Sequence, residues 1–268
     1  MPTVRSLQTI TASVFLAVAV QGVSSVLPPT IEQSGVGSIE LLPSAIAKSS
    51  KRINYTPPGT LKRAIRTGGT GSRGCAQLGR VTVMPLVPSN HIGQTQSSRP
   101  TFLAYVSGAQ SVEFALTEPK VEKPLLVQTV TPDANGIVRV QLPETAPELA
   151  IGKDYRWSIA VVCNPNRRSN DVYAQSWIQR TAVTPELEKN LTATPSGLER
   201  ARLYANAGFW YDAIATLTHA LQTNPNQPEA QADFADLLRQ ANLSDLGITG
   251  PTAKPTVTSQ SAPSPVNR

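Results

Sequence analysis

Histidine is scarce in this chain, which limits the acid–base chemistry it could perform. The 268 residues include two histidines, His91 in a predicted loop and His219 in a predicted helix. No nucleophile-elbow motif lies near His91, and neither histidine is spaced from a cysteine as a zinc ligand would be. A carboxylate pair such as Asp154 with Asp171 would suit glycoside hydrolysis, but nothing in the spacing favours it. The pattern therefore predicts no catalytic residue, no metal site and no cofactor.

One glycine motif has the spacing of a dinucleotide-binding loop. Gly69, Gly71 and Gly74 fit Gly-x-Gly-x-x-Gly. That motif binds a pyrophosphate only between a strand and a helix, with an acidic residue about 20 positions later. None of these elements is predicted around it, so nucleotide binding is not expected.

The two cysteines, Cys75 and Cys163, are candidates for one disulfide. An even pair in an exported chain favours a bond, which over a loop of this length would contribute about 4–5 kcal/mol. Two unrelated thiols are the alternative.

Residues 1–47 have the features of an export signal. Arg5 precedes an almost wholly apolar run over 10–20, which is shorter than the roughly 20 residues that span a bilayer. Cleavage would follow small residues, near Ser24-Ser25 or near Ala45-Ile46-Ala47. We expect a periplasmic or extracellular protein, and an uncleaved signal that anchors it to the membrane is the alternative.

Positive charge is concentrated in one part of the chain. No Asp or Glu lies between Glu40 and Glu113, and Pro and Gly clusters over 48–74 predict a linker without regular structure. A basic arm suits an anionic glycan, a lipid headgroup or an acidic protein, and the alternative is a solvated linker. Export, and the lack of a groove-reading helix, argue against nucleic acid. The basic residues are Lys48, Lys51, Arg52, Lys62, Arg63, Arg66, Arg73, Arg80 and Arg99.

Short apolar or alternating runs between turn signals predict an antiparallel β-sandwich domain over 75–183. Leu149, Gly152 and Tyr155 resemble the tyrosine corner of fibronectin type III and immunoglobulin-like folds, and Trp157 is expected in the core behind it. Trp177 and Ile178 are adjacent, so they cannot both point inward without a bulge. The predicted strands are 81–87, 101–107, 111–117, 125–131, 137–142, 154–163 and 172–183.

From Thr184, a predicted N-cap, the pattern becomes helical. The segment 184–243 contains one degenerate tetratricopeptide-like unit, which cannot bury enough surface alone and must pack on the sandwich or on a partner. The aromatic cluster Phe209, Trp210 and Tyr211 either joins these two parts or forms a partner-binding patch. Residues 244–268 are rich in Pro, Ser and Thr and are predicted to be disordered.

The loop between the last two strands carries Arg167 and Arg168, fork donors suited to carboxylate or sulfate groups. A solvated hairpin loop is the alternative interpretation.

Several short motifs occur in order along the chain: Gly74-Cys75, Arg99-Pro100-Thr101-Phe102, Tyr155-Arg156-Trp157, Cys163-Asn164-Pro165, Trp177-Ile178-Gln179-Arg180 and Tyr204 with Trp210-Tyr211-Asp212-Ala213. Together they resemble the cyanobacterial "domain of unknown function 928" family. The resemblance covers about residues 55–243 and implies a cyanobacterial exported protein with a shared cysteine pair and no assigned activity. We therefore expect a non-catalytic cell-envelope binding or scaffolding module that acts through a protein partner. A glycan-binding protein is the alternative, and a hydrolase of envelope polymers is a third hypothesis.

Overall fold

A computed structural model of the chain describes residues 52–59, 66–71, 75, 79–109, 111–248 and 250. All of them belong to one compact unit, Ala47–Arg268. The predicted signal segment and residues 251–268 of the predicted disordered tail lie outside the described residues. Among those that are described, no helix is long and apolar enough to cross a membrane.

Nine strands of the described residues form two sheets. They are β1 (Gly69–Gly71), β2 (Val81–Pro85), β3 (Gly93–Thr95), β4 (Thr101–Ser107), β5 (Val112–Thr117), β6 (Leu126–Val130), β7 (Ile137–Gln141), β8 (Asp154–Val161) and β9 (Val172–Arg180). The first sheet has the strand order β1-β2-β4-β7 and is antiparallel throughout. The second has the order β3-β9-β8-β5-β6, with β3 parallel to β9 and the other pairs antiparallel.

All seven predicted strands are present, and two short strands were not predicted. Strand β1 falls within the predicted linker, so the prediction that 48–74 has no regular structure is wrong there. A Gly-Thr-Gly triplet has no apolar alternation, and its pairing depends on the backbone of β2. Strand β3 begins just after His91, where no strand was predicted, and its conformation depends in the same way on pairing with β9.

The core between the two sheets is built from alternate side chains of each strand. Phe102 of β4 lies between the sheets, with its ring centroid 5.0 Å from Phe114 of β5 and 5.4 Å from Trp157 of β8. Trp157 is buried, as predicted. The ladder between β8 and β9 has no bulge, so Ile178 points inward and Trp177 points to the opposite face.

A disulfide joins Cys75 to Cys163 across 88 residues, with Cα atoms 4.9 Å apart. The predicted pairing is confirmed. The bond ties the segment before β2 to the end of β8.

The turn before β8 has the hydrogen bond expected of a tyrosine corner. The Tyr155 hydroxyl accepts from the Ala150 N–H at 2.9 Å, and Leu149 is fully buried beside it. Gly152 has φ +80°, a left-handed conformation that a residue with a Cβ rarely adopts. The corner therefore holds β8 at a fixed angle to the chain before it.

Four helices follow the strands: α1 (Pro185–Ala193), α2 (Gly197–Asn206), α3 (Trp210–Thr223) and α4 (Pro228–Gln240). The Thr184 side chain accepts from Leu187 N–H, which confirms the predicted N-cap. Arg202 of α2 binds the fully buried Asp233 of α4 at 2.6 Å, and Glu199 supplies a second carboxylate. This ion pair joins the two helices that flank α3.

The aromatic cluster at the start of α3 joins the helices to the sheets. The Trp210 indole donates to Leu86 C=O at 2.9 Å, and the Tyr211 hydroxyl donates to Trp177 C=O at 2.8 Å. Trp157 of the core donates in turn to the Tyr211 oxygen at 2.8 Å. Phe209, Trp210 and Tyr211 are all at most 5% exposed. They therefore belong to the interior and do not form an exposed partner-binding patch.

The first part of the predicted linker is also packed onto the helices. Ile53 N–H donates to Asp233, and Thr56 N–H donates to Ala205 C=O. The Tyr55 hydroxyl forms a buried hydrogen bond of 2.7 Å with Nε2 of His91. Residues 52–58 are thus part of the folded unit, which composition alone could not reveal because their partners, such as Asp233 and Ala205, lie far away in the sequence.

The described cations of the basic arm are largely occupied by the fold. Arg52 pairs with Asp236 at 2.9 Å, Arg66 donates to Val87 C=O at 2.7 Å, and Arg99 donates to Ala146 C=O at 2.8 Å. These three side chains are not a free anion-binding arm.

The predicted disorder begins too early. A 3-10 turn spans Ser244–Leu246, and the Asn135 amide donates to the carbonyl of the buried Gly250 at 2.6 Å. Gly250 therefore contacts the turn before β7.

Asp212 in the first turn of α3 makes the stability of the fold pH-dependent. Its carboxylate accepts from Gln96 N–H at 3.0 Å, but burial dominates and raises the pKa of Asp212 to about 6. Because the folded pKa exceeds the unfolded value of 3.8, the stabilising effect of protonation is complete below pH 4 and is lost as pH rises through 6. We expect this loss to be on the order of 3 kcal/mol.

Urea unfolding of the wild type and of Asp212→Asn at several pH values between 4 and 7 measures this effect. The variant should lack most of the fall in stability. Asp245→Asn, which changes an exposed carboxylate, should keep it. Equal pH slopes for Asp212→Asn and the wild type would rule the assignment out.

Candidate functional site

The outer faces of the two sheets differ in what covers them. On the first sheet, Leu103 and Ile137 point outward yet are only 2% exposed, because α3 packs over them. On the second sheet, Val127 is 54% and Tyr173 is 59% exposed. None of the four helices covers this surface, which we call the open face. Its outward side chains are Glu113, Ala115, Thr117, Val127, Thr129, Arg156, Ser158, Ala160, Tyr173, Gln175, Trp177 and Gln179.

Strand β9 sets aromatic and amide side chains in one row. Tyr173, Gln175, Trp177 and Gln179 share a face because successive residues of a strand alternate. At about 3.3 Å per residue, Tyr173 and Trp177 are separated by roughly 13 Å along the strand. An extended ligand could therefore contact both rings with an amide between them.

The two central strands provide a shallow trough beside this row. Ala160 lies opposite Tyr173 and Ser158 lies opposite Gln175 in the ladder, and Ala115 of β5 follows on the far side of Ser158. These three side chains are small, whereas Val127 of β6 forms the opposite wall. The open face therefore has a floor of small side chains between an aromatic row and an apolar edge.

Part of the hydrogen-bonding capacity of the row is unused. Gln179 donates to Asp154 at 2.8 Å and accepts from Gln94 at 3.4 Å, which fixes its amide. No described residue bonds the indole N–H of Trp177 or the side-chain amide of Gln175. An indole donor and a complete amide thus remain for a ligand.

Charges at the rim of the open face mostly cancel. Arg168 binds Glu113 at 2.7 Å and Asp171 at 2.6 Å, and these hydrogen bonds raise the pKa of the Arg168 guanidinium above its usual value. Lys153 binds Glu118 at 2.6 Å, and this hydrogen bond raises the pKa of Lys153. The surface near these pairs carries little net charge.

The predicted recognition loop has only one arginine without a partner. Arg168 is held by the two carboxylates at the edge of the open face, while Arg167 is exposed. Recognition by Arg167 stays a prediction.

Catalytic groups are not gathered on the open face. His91 is buried away from it, between Tyr55 and Asn90, and burial lowers the pKa of its imidazole. In the part of the chain that the structure describes, no group of three or more His, Cys, Asp or Glu residues is placed to hold a metal ion. The arrangement is suited to binding a ligand by contact and hydrogen bonding.

The family model described as Domain of Unknown Function (DUF928) matches residues 68–249, which is more than half of the chain. The chain belongs to the DUF928 family. The DUF928 match includes all the strands of both sheets and all four helices. No curated protein matches the sequence. The open face of this DUF928 protein was therefore identified from its geometry alone.

The adjacency of Trp177 and Ile178 left open which of the two points inward, so the sequence did not reveal the open face. The run from Val172 to Arg180 alternates apolar residues with Tyr173, Gln175, Trp177 and Gln179. Recognising that alternation would have placed both aromatic rings on the outer face. What the sequence could not show is that helices cover only the other sheet.

Proposed function

We propose that this protein is an exported, non-catalytic binding module of the cell envelope that holds a neutral polysaccharide on the open face. One observation carries the proposal: an uncovered sheet presents Tyr173 and Trp177 in one row with Gln175 and Gln179.

The chemistry of the row matches that of a sugar chain. The C–H face of a sugar ring is apolar and packs well on an aromatic ring, whose face carries partial negative charge. Sugar hydroxyls need both donors and acceptors, and a glutamine amide supplies two donors and one acceptor oxygen. The trough lined by Ala115, Ser158 and Ala160 leaves room for the chain beside the rings. Arg168 and Lys153 at the rim are paired with carboxylates, so these two charges are not available to a charged ligand.

We infer that the two sheets form a fibronectin type III-like sandwich and that the helices are a tetratricopeptide-like appendage. The order β2-β4-β7 in one sheet and β9-β8-β5-β6 in the other supports the first inference, together with the Tyr155 corner. The helical pair α2 and α3, with a turn at Gly208, supports the second. Export is compatible with the Cys75–Cys163 disulfide, because such bonds persist in oxidising compartments.

A protein partner on the same open face is the second candidate. Val127 and Tyr173 add exposed apolar area on both sides of the trough, as a protein interface requires. The buried aromatic cluster of α3 no longer supports docking through the helices.

Affinity electrophoresis of the full chain in gels that contain soluble neutral polysaccharides tests the proposal. We expect Trp177→Ala and Tyr173→Ala each to weaken the retardation by about tenfold, which corresponds to about 1.4 kcal/mol. Trp177→Phe should retain part of it because a ring remains. Ile151→Ala removes an apolar side chain that is 60% exposed but lies outside the open face, so it should bind like the wild type.

Two results would contradict the proposal. One is that the Trp177→Ala and Tyr173→Ala variants are retarded as strongly as the wild type while their thermal unfolding is unchanged. The other is failure of every neutral envelope polysaccharide to retard the wild type. Capture of a defined envelope protein that Trp177→Ala abolishes would favour the second candidate.

A further inference from the structure

A cleft lies on the outer face of the first sheet, between β7 and the helices α2 and α3. Its volume is about 340 Å³. Three basic side chains line it, Arg139, Arg200 and His219, together with the hydroxyl-bearing Thr216. No Asp or Glu is among its lining residues.

Arg139 is a half-buried cation with few hydrogen-bond acceptors around it. Its guanidinium has five N–H donors, and the one hydrogen bond that its side chain forms among the described residues is to the neutral amide of Gln222 at 2.8 Å. Burial lowers the pKa of Arg139, which reflects the cost of holding the charge away from water. It stands opposite the apolar Leu103 in the β4–β7 ladder.

Two other partly buried arginines have more protein acceptors around them than Arg139 does. Arg202 has carboxylates from Glu199, Glu229 and Asp233 around it. Arg180 donates to the carbonyls of Gln96 and Leu149. Arg139 differs from them in having donors that face a cleft instead of protein acceptors.

Arg200 adds a second unpaired cation at the mouth of the same cleft. It is exposed, it forms no ion pair with Glu188 in the neighbouring cleft, and the adjacent Glu199 is taken by Arg202. Arginine forks bind phosphate and sulfate oxygens in pairs, and a hydroxyl and an imidazole complete such a set.

We propose that this cleft binds a phosphate or sulfate oxyanion, held by Arg139 and Arg200 with Thr216 and His219 beside it. The volume is about ten times the roughly 30 Å³ that one water molecule occupies in the liquid, so an anionic group attached to a sugar ring also fits. The site is independent of the open face, which lies on the other sheet.

Isothermal titration of the full chain with inorganic phosphate at low ionic strength tests the proposal. We expect saturable binding at one site that is weakened about tenfold or more in Arg139→Gln and in Arg200→Gln. Arg80→Gln is the matched control, because Arg80 is an exposed cation that belongs neither to this cleft nor to the open face. Since Arg200 is exposed, its variant keeps the test valid if Arg139→Gln is destabilised.

A second arm compares inorganic phosphate with a hexose 6-phosphate and with the unmodified hexose. Tighter binding of the ester than of phosphate assigns the site to an anionic substituent on a sugar, and equal binding assigns it to the free ion. Three results would overturn the proposal. They are binding of the unmodified hexose that Arg139→Gln abolishes, no saturable binding of phosphate, and equal weakening of phosphate binding by Arg80→Gln.

Discussion

Replacing Tyr211 by alanine should lower the free energy of unfolding by about 3–5 kcal/mol. The side chain is 1% exposed and lies 5.9 Å from the Phe102 ring, so its removal opens a cavity between the helices and the core. It also leaves the Trp157 indole N–H and the Trp177 carbonyl without their partner. Urea unfolding of wild type and variant measures the difference.

Tyr211→Phe separates the hydrogen bonds from the packing. Keeping the ring while removing the hydroxyl should cost about 1–3 kcal/mol, because one buried donor becomes unsatisfied. Tyr173→Ala serves as the control, since it deletes an exposed tyrosine and should change stability by less than about 0.5 kcal/mol. A loss below 1 kcal/mol in Tyr211→Ala would show that α3 is not anchored through this side chain.

The second large effect is expected from the disulfide. The double variant Cys75→Ser and Cys163→Ser should lose about 4–5 kcal/mol, because a cross-link over 88 residues restricts the unfolded chain. Wild type unfolded in the presence of a reductant should approach the stability of the double variant. The double variant itself should not respond to the reductant.

Thiol alkylation provides an independent check of the same bond. Unfolded wild-type protein should take up no label before reduction and two labels after it. Two labels without reduction would show that the bond is absent from the isolated protein, and the predicted loss of stability would not then be expected.

Local patterns identified most of the elements of this protein. Two-residue alternation predicted the seven longer strands, and Thr184 with Pro185 predicted the start of α1. Leu149, Gly152 and Tyr155 predicted the corner before β8. These features depend on residues a few positions apart, so a single sequence contains the information that specifies them.

Contacts between distant segments were decided only in the tertiary structure. The short strands β1 and β3 take their conformation from neighbouring strands, and Ile53 and Tyr55 are buried by helices that follow much later in the chain. Cleft residues Arg139 and Arg200 are likewise distant in sequence and meet only when α2 and α3 cover the first sheet.

The aromatic residues show the division most directly. Phe209, Trp210 and Tyr211 were compatible with either an interior cluster or an exposed patch. The adjacency of Trp177 and Ile178 left open which of these two side chains points inward. The sequence by itself determined that these residues sit on a helix start and on a strand. Which of them meets water was set by the helices packing on one sheet and leaving the other uncovered, because burial depends on long-range packing that local periodicity does not encode.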